Sequence, residues 1–289
     1  MLDPKVLMTI KDLPLLAKTV IDGFMNGFNK SKVKGPGLEF SQYRSYQPGD
    51  DLRWLDWRMY ARSDRYYIRE SEVETSISVR FLVDASASMN HEDGGIKKIQ
   101  YAKALIASLA YLSNLQGDAV GLYVFKNELF SLASKQDPQH LKRLFYHLEG
   151  IEPEGTFTKP IQYKELFTGG GKKELLIFVT DMYQQDGEIS RLLDSLSAMK
   201  HEVVVFQLMG KNELEFDFKE YGSLEDLETG ETIQVNHREA VELYREKLNE
   251  HLNSIRMQLL GKHIFHRVIS TAQPLDQALR DFLVQRNKS

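Results

Sequence analysis

Four nearly unbroken apolar runs limit what this chain can fold into: ISVRFLVD at 77–84, AVGLYVF at 119–125, ELLIFVTD at 174–181 and EVVVFQLM at 202–209. Each has strand length, is rich in β-branched and aromatic residues, and lacks the polar alternation of a half-exposed strand. Each is therefore expected to be covered on both faces. A fifth run, HIFHRVIS at 263–270, reads as a late strand. Amphipathic stretches at 96–115, 138–148, 187–200, 238–260 and 274–285 fill the intervals and read as helices. Such alternation predicts an α/β fold, a doubly wound, mostly parallel sheet flanked by helices, with right-handed connections.

Two stretches depart from the rhythm. Residues 1–76 form an N-terminal helical and irregular extension, expected to pack on a main domain at 77–289. Near its start Leu7, Ile10, Leu13, Leu16, Val20 and Phe24 recur at roughly helical spacing, with Pro14 expected to separate two short helices. Further on, Gly35 to Tyr67 turns to Gly, Pro, Arg, Asp and aromatics with little periodicity, and reads as a loop ordered by side-chain bonds. The other departure, 214–235, reads as an inserted β-hairpin around Thr229-Gly230.

Composition excludes several function classes. Lys+Arg 37 against Asp+Glu 41 leaves no concentrated basic surface of the kind that tracks a phosphate backbone, so no nucleic-acid partner is expected. Cys 0 removes disulfides, thiolate metal sites and cysteine nucleophiles, and suits a reducing compartment. Asp3, Lys5, Lys11, Asp12 and Lys18 interrupt the first twenty residues, unlike a signal peptide, and no apolar run reaches bilayer-spanning length. The expectation is a cytoplasmic protein without a membrane span.

The chemistry gathers where two strands end in aspartate. The first closes on Asp84 and continues Ala85-Ser86-Ala87-Ser88, which puts one carboxylate and two hydroxyls on alternate residues of a turning loop. The second closes on Asp181, and the intervening Gly155-Thr156 offers a third hydroxyl. Open α/β sheets bind ligands beyond the carboxyl ends of their strands, where all five groups can meet. Oxygen donors without His or Cys favour a hard cation, Mg²⁺ or Mn²⁺. Two carboxylates and three neutral hydroxyls leave such an ion underbonded, so an external anion is expected to complete its shell. The plainer reading is that both aspartates cap helices while the serines satisfy a turn. Aspartyl-phosphate chemistry is disfavoured, because its second aspartate would stand where Ser86 does.

The ordered set Asp84, Ser86, Ser88, Thr156, Asp181 resembles the metal-ion-dependent adhesion site of von Willebrand factor A domains, Asp-x-Ser-x-Ser followed by a distant Thr and a distant Asp. The resemblance implies that Asp84, Ser86, Ser88 and Thr156 serve the metal or its water shell and that Asp181 is the second carboxylate. A protein partner's Asp or Glu carboxylate would then fill the open position.

Further motifs narrow the resemblance: Gly37-Leu38-Glu39-Phe40, the run from Arg44 to Trp57 (RSYQPGDDLRWLDW), Ala61-Arg62, Glu70-Ser71-Glu72, the hairpin DLETGE at 226–231, Tyr244 and the tail from Leu279 to Arg286. Together they look like the bacterial family called domain of unknown function 58. That likeness implies a partnership with a MoxR-type AAA+ ATPase in chaperone-like maturation or remodelling of client proteins. Within Arg44 to Arg62 two readings stand. Arg44, Asp50, Asp51, Arg53, Asp56, Trp57 and Arg62 form either a second recognition surface or, the favoured reading, internal ion pairs and turn bonds, with Trp54 and Trp57 buried beneath them. The expected function is a non-enzymatic, metal-dependent protein-interaction module. A metal-dependent hydrolase is the competing class, but no His, Cys or paired-Glu arrangement accompanies the site in sequence.

Overall fold

Burial on both faces draws the apolar runs together into one sheet. The computed structural model describes residues 3–30, 42–47, 50–51, 55–70, 76–158, 173–199, 201–217, 223–234 and 237–286. These fall into two compact units, one of Met1–Phe24 with Ser76–Ser289, the other Met25–Thr75.

The larger unit opens with helices α1 (Pro4–Leu7) and α2 (Leu13–Lys30), the latter continuing into the smaller unit. Strand β3 (Ser78–Asp84) leads through a 3₁₀ turn (Ala87–Asn90) and a small ribbon, β4 (Glu92–Asp93) with β5 (Ile96–Lys97), into helix α4 (Lys98–Leu115). There follow β6 (Ala119–Phe125), β7 (Leu129–Lys135), helix α5 (Pro138–Glu149), β8 (Leu175–Thr180), helix α6 (Glu188–Ala198), β9 (Glu202–Met209) and the short helix α7 (Lys211–Glu215). The predicted hairpin is β10 (Ser223–Glu225) paired with β11 (Thr232–Gln234), and α8 (His237–Gly261), β12 (Phe265–Ser270) and α9 (Leu275–Arg286) complete the described elements.

The main sheet has the order β12-β9-β8-β3-β6-β7, parallel throughout except for β7, which runs antiparallel to β6. Phe81, Phe125, Phe178 and Phe206 are fully buried on its central strands, and burying each such side chain contributes roughly 2 kcal/mol. Among the described residues no helix is long and apolar enough to cross a membrane.

The structure corrects three expectations. Pro14 does not separate a pair of helices; it sits at the second position of α2, where its missing N–H has no intrahelical acceptor to lose. The break falls at residues 8–12, and Asp12 Oδ1 caps the new helix by accepting from Leu15 N at 2.7 Å. Edge strand β7 had no place among the five runs, because it is exposed along one face and its sequence, LFSLASK, breaks its apolar residues with Ser131, Ser134 and Lys135. The smaller unit is more ordered than a loop: β1 (Gln42–Ser45) pairs antiparallel with β2 (Tyr67–Glu70), and helix α3 (Trp57–Ser63) lies between them in sequence. Tyr60 stacks on Tyr66 at 4.5 Å, and Tyr66 meets Tyr46 edge-on.

Candidate metal centre

Strand order reverses around β3: the chain steps from β3 to β6 on one side and returns to β8 on the other. The parallel register Val83↔Val179 therefore sets Asp84 beside Thr180 at the carboxyl ends of adjacent strands, the crevice where open α/β sheets place ligands. Thr180 Oγ1 donates to Asp84 Oδ2 at 2.6 Å. Asp84 Oδ1 accepts from Ser86 N at 3.0 Å and from Ser86 Oγ at 2.7 Å, and the Ser86 and Ser88 hydroxyl oxygens lie 3.1 Å apart. One carboxylate and both predicted hydroxyls thus converge on a single buried point.

Backbone bonds hold that loop in shape. Ala85 N donates to Phe125 O, Ala87 N to Gly155 O at 2.9 Å, and Glu154 N to Ala85 O at 3.0 Å. The Gly155 contact brings the Thr156 segment alongside the serine loop, where Thr156 is half-buried and its N–H donates to Asn127 Oδ1 at 3.2 Å. Gly155 is required here: its φ is 63°, and a Cβ would fall 2.2 Å from the Asn127 side-chain amide.

Asp181 reaches the cluster in a different state from Asp84. Its Oδ1 accepts from Tyr183 N at 3.1 Å across a turn in which Met182 takes a φ of 63°, and its Oδ2 accepts from Lys98 Nζ at 3.0 Å. Lys98, the first residue of α4, also donates to Glu213 Oε1 at 2.8 Å. Burial alone would push the Lys98 ammonium down, but the Asp181 and Glu213 carboxylates outweigh it and hold it up at about 12. Burial, reinforced by the facing Asp181 charge, pushes Asp84 up to about 7 against the lowering effect of its Thr180 and Ser86 hydrogen bonds. Asp84 is thus a buried acid with no basic partner among the described residues.

A third carboxylate joins them. Glu228, from the β10–β11 turn, lies close enough to Ser86 and Ser88 for the two hydroxyls to act on its carboxylate. Burial raises its pKa, the two serines pull it down, and Asp181 and Asp226 raise it again, for a net upward shift. Its Oε1 is buried without a partner.

These residues fit a hard divalent cation, on the ground that a buried Asp84 without a basic partner among the described residues and a Glu228 oxygen without a hydrogen-bond partner accompany the two serine hydroxyls. Carboxylates alone do not suffice: among the described residues no three His, Cys, Asp or Glu side chains group into a metal-holding set. The hydroxyls must supply donors, and Asp181, with both oxygens engaged, is suited to act through water.

Sequence reasoning missed Thr180, Lys98, Glu213 and Glu228 as members of the site. Thr180 carried a signal, as the residue before a strand-ending aspartate. Lys98 opens the buried stripe of α4, an unusual place for an ammonium. Of the second group of candidates, Asp56 caps α3 through bonds from Arg58 N at 2.9 Å and Met59 N at 3.0 Å, and Asp50 Oδ2 accepts from Gln47 N at 2.8 Å. Asp51 and Arg62 are exposed. Trp57, expected underneath, is 61% exposed, because the first position of α3 turns its ring outward, edge-on to Tyr60. The backbone of Arg44 lies in β1; its side chain, Arg53 and Trp54 lie outside the described residues.

An α/β sheet of this order, with an Asp-x-Ser-x-Ser loop and a second strand-ending aspartate at its switch point, defines a von Willebrand factor A-like domain. The chain belongs to the family described as protein of unknown function DUF58, which it matches over residues 42–254. Uncharacterized proteins of Mycobacterium tuberculosis and Mycobacterium bovis are 31% identical to it over 122 residues, 42% of this chain. The match spans only 38% of the length of those curated relatives. Solved structures that align with the chain include BatB of Bacteroides thetaiotaomicron, at 19% identity and a TM-score of 0.48, covering 74% of this chain and 100% of that one. An aerotolerance-related membrane protein of Bacteroides fragilis aligns over the same shares at 19% identity and a TM-score of 0.49.

Proposed function

We propose that this protein is a divalent-cation-dependent protein-interaction module, acting in the cytoplasm, that captures a carboxylate of a protein partner. The observation that carries the reading is the convergence of Asp84, Ser86 and Ser88 at the switch point of the sheet, with Asp84 lacking any basic partner among the described residues. Mg²⁺ or Mn²⁺, when bound, supplies a Lewis-acidic position for an anionic oxygen. Asp84 and the two serine hydroxyls hold that position directly, while Thr156 and Asp181 order its water shell. Lys98 holds Asp181 in place through a 3.0 Å ion pair. The family resemblance adds the partner, a MoxR-type AAA+ ATPase, and the task, chaperone-like maturation or remodelling of client proteins.

Titration calorimetry with Mn²⁺ tests the site. Wild-type protein is expected to bind one ion, and Asp84→Asn, or Ser86→Ala with Ser88→Ala, to lose at least about ten-fold in affinity, since ligand charge count sets affinity at such sites. Unchanged affinity in these variants removes the metal from the reading. Capture of the ATPase should then vanish in EDTA and weaken in Thr156→Ala; capture that persists in EDTA removes the carboxylate bridge.

A further inference from the structure

The β10–β11 hairpin is too small to contribute a core: three residue pairs, with alternating exposure along β10. Yet its tip is held by a dense set of bonds. Asp226 organises the turn by accepting from Glu228 N at 2.8 Å and Thr229 N at 3.0 Å through Oδ1, while its backbone pairs with Glu231 and Gly230, each at 2.8 Å. Gly230 provides the left-handed residue, at φ 73°, that closes the turn. The other oxygen, Asp226 Oδ2, accepts from the phenolic hydroxyl of Tyr183, whose own N–H is bound to Asp181. The tip is therefore tied to the loop that follows the second aspartate of the site, with Glu228 beside Ser86 and Ser88.

We propose that Glu228 is a built-in ligand of the metal centre, filling the position a partner's carboxylate would take, so that the hairpin is a latch a partner must displace. The inference rests on the metal-dependent reading above. Three features of the site favour it. The Glu228 carboxylate lies beside Ser88 and beside Ser86, whose hydroxyl Asp84 also engages, and its Oε1 is buried without a hydrogen-bond partner, a cost that a cation or water can relieve. Charge is the second. Asp181 already has the Lys98 ammonium as its partner, which it shares with Glu213, whereas Asp84 and Glu228 have no ammonium or guanidinium partner among the described residues and are the two carboxylates left to meet the two positive charges of the ion. The third is mechanical: a short ribbon outside the main sheet can swing away without breaking the core.

The test uses the whole chain and Mn²⁺ as the probe, with water-proton relaxation reporting the waters bound to the ion. Glu228→Gln keeps the turn made by Asp226 and removes the charged ligand. Mn²⁺ affinity is expected to fall about ten-fold, with higher relaxivity per bound ion as water replaces the carboxylate. Added acetate should then lower the relaxivity of Glu228→Gln but not of the wild type, because only the variant has an open position. Hydrogen exchange gives a readout independent of affinity: Mn²⁺ should slow the amides of 226–231 in the wild type and leave them unchanged in the variant. Equal affinity, equal relaxivity and no protection of the hairpin overturn the latch while leaving the metal centre intact. A wild type that binds no Mn²⁺ overturns both.

Discussion

Asp84 is fully buried, faces Asp181, and directs both of its carboxylate oxygens at the protein's own donors. A buried carboxylate in that position is stabilised by a cation and strained without one. Asp84→Asn should therefore have opposite effects on binding and stability. It abolishes ion binding, yet in EDTA at pH 8 it raises the stability of the metal-free protein by about 1–2 kcal/mol, because it removes the repulsion while keeping an oxygen for Ser86. Thermal unfolding in EDTA decides this, and a lowered midpoint in the variant refutes it. Asp84, Ser86 and Ser88 were legible in the sequence because residues two apart in a turning loop need no tertiary information to meet. Glu228 was not: nothing local to DLETGE shows that its turn lies over a loop some 140 residues earlier, about the separation that only topology can close.

At the scale of elements, the same distinction separates what the sequence revealed from what it concealed. Strands covered on both faces announce themselves as apolar runs, and β3, β6, β8 and β9 are buried along nearly their whole length. Strand β7 is half-exposed at the edge, and α3 depends on one capping aspartate and a cluster of tyrosines, so neither writes a periodic pattern. Helix α4 did write its pattern, but its first residue conceals a buried ammonium at the heart of the site. Lys98 joins Asp181 on β8's far end to Glu213 on α7, so it fastens three elements where their backbones do not bond. Lys98→Met should cost about 3–5 kcal/mol in EDTA, since the buried Asp181 and the half-buried Glu213 are left without their shared ammonium. The double variant Lys98→Met with Asp181→Asn should recover some of that loss. Denaturant unfolding of the single and double variants measures it, and simple additivity of the two changes would show that the pair is not coupled.

For the whole molecule, a half-buried histidine and a buried aspartate pull the pH dependence of stability in opposite directions. His266, in β12, hydrogen-bonds through Nε2 to Gln207 Oε1 at 2.9 Å; burial, with the Arg256 charge added, pushes it from 6.5 down to about 4. Between those values the unfolded chain binds more protons than the folded one, so this contribution is complete above pH 6.5 and is lost as the pH falls toward 4. Asp84 works in reverse. Its folded value near 7 lies above its ordinary 3.8, so the metal-free fold binds more protons in that window and loses stability as the pH rises through it. A bound divalent cation favours the ionised Asp84 and cancels that loss. The stability added by saturating Mg²⁺ should therefore grow between pH 5 and 8, by on the order of 2 kcal/mol. In metal-free protein, His266→Gln should flatten the acid side of the curve by about 1–2 kcal/mol, discounted because the ring is partly exposed. Thermal midpoints at matched pH, with Mg²⁺ and with EDTA, separate the two groups. A Mg²⁺ effect that stays constant from pH 5 to 8 would mean that Asp84 does not hold the ion, whatever else the domain binds.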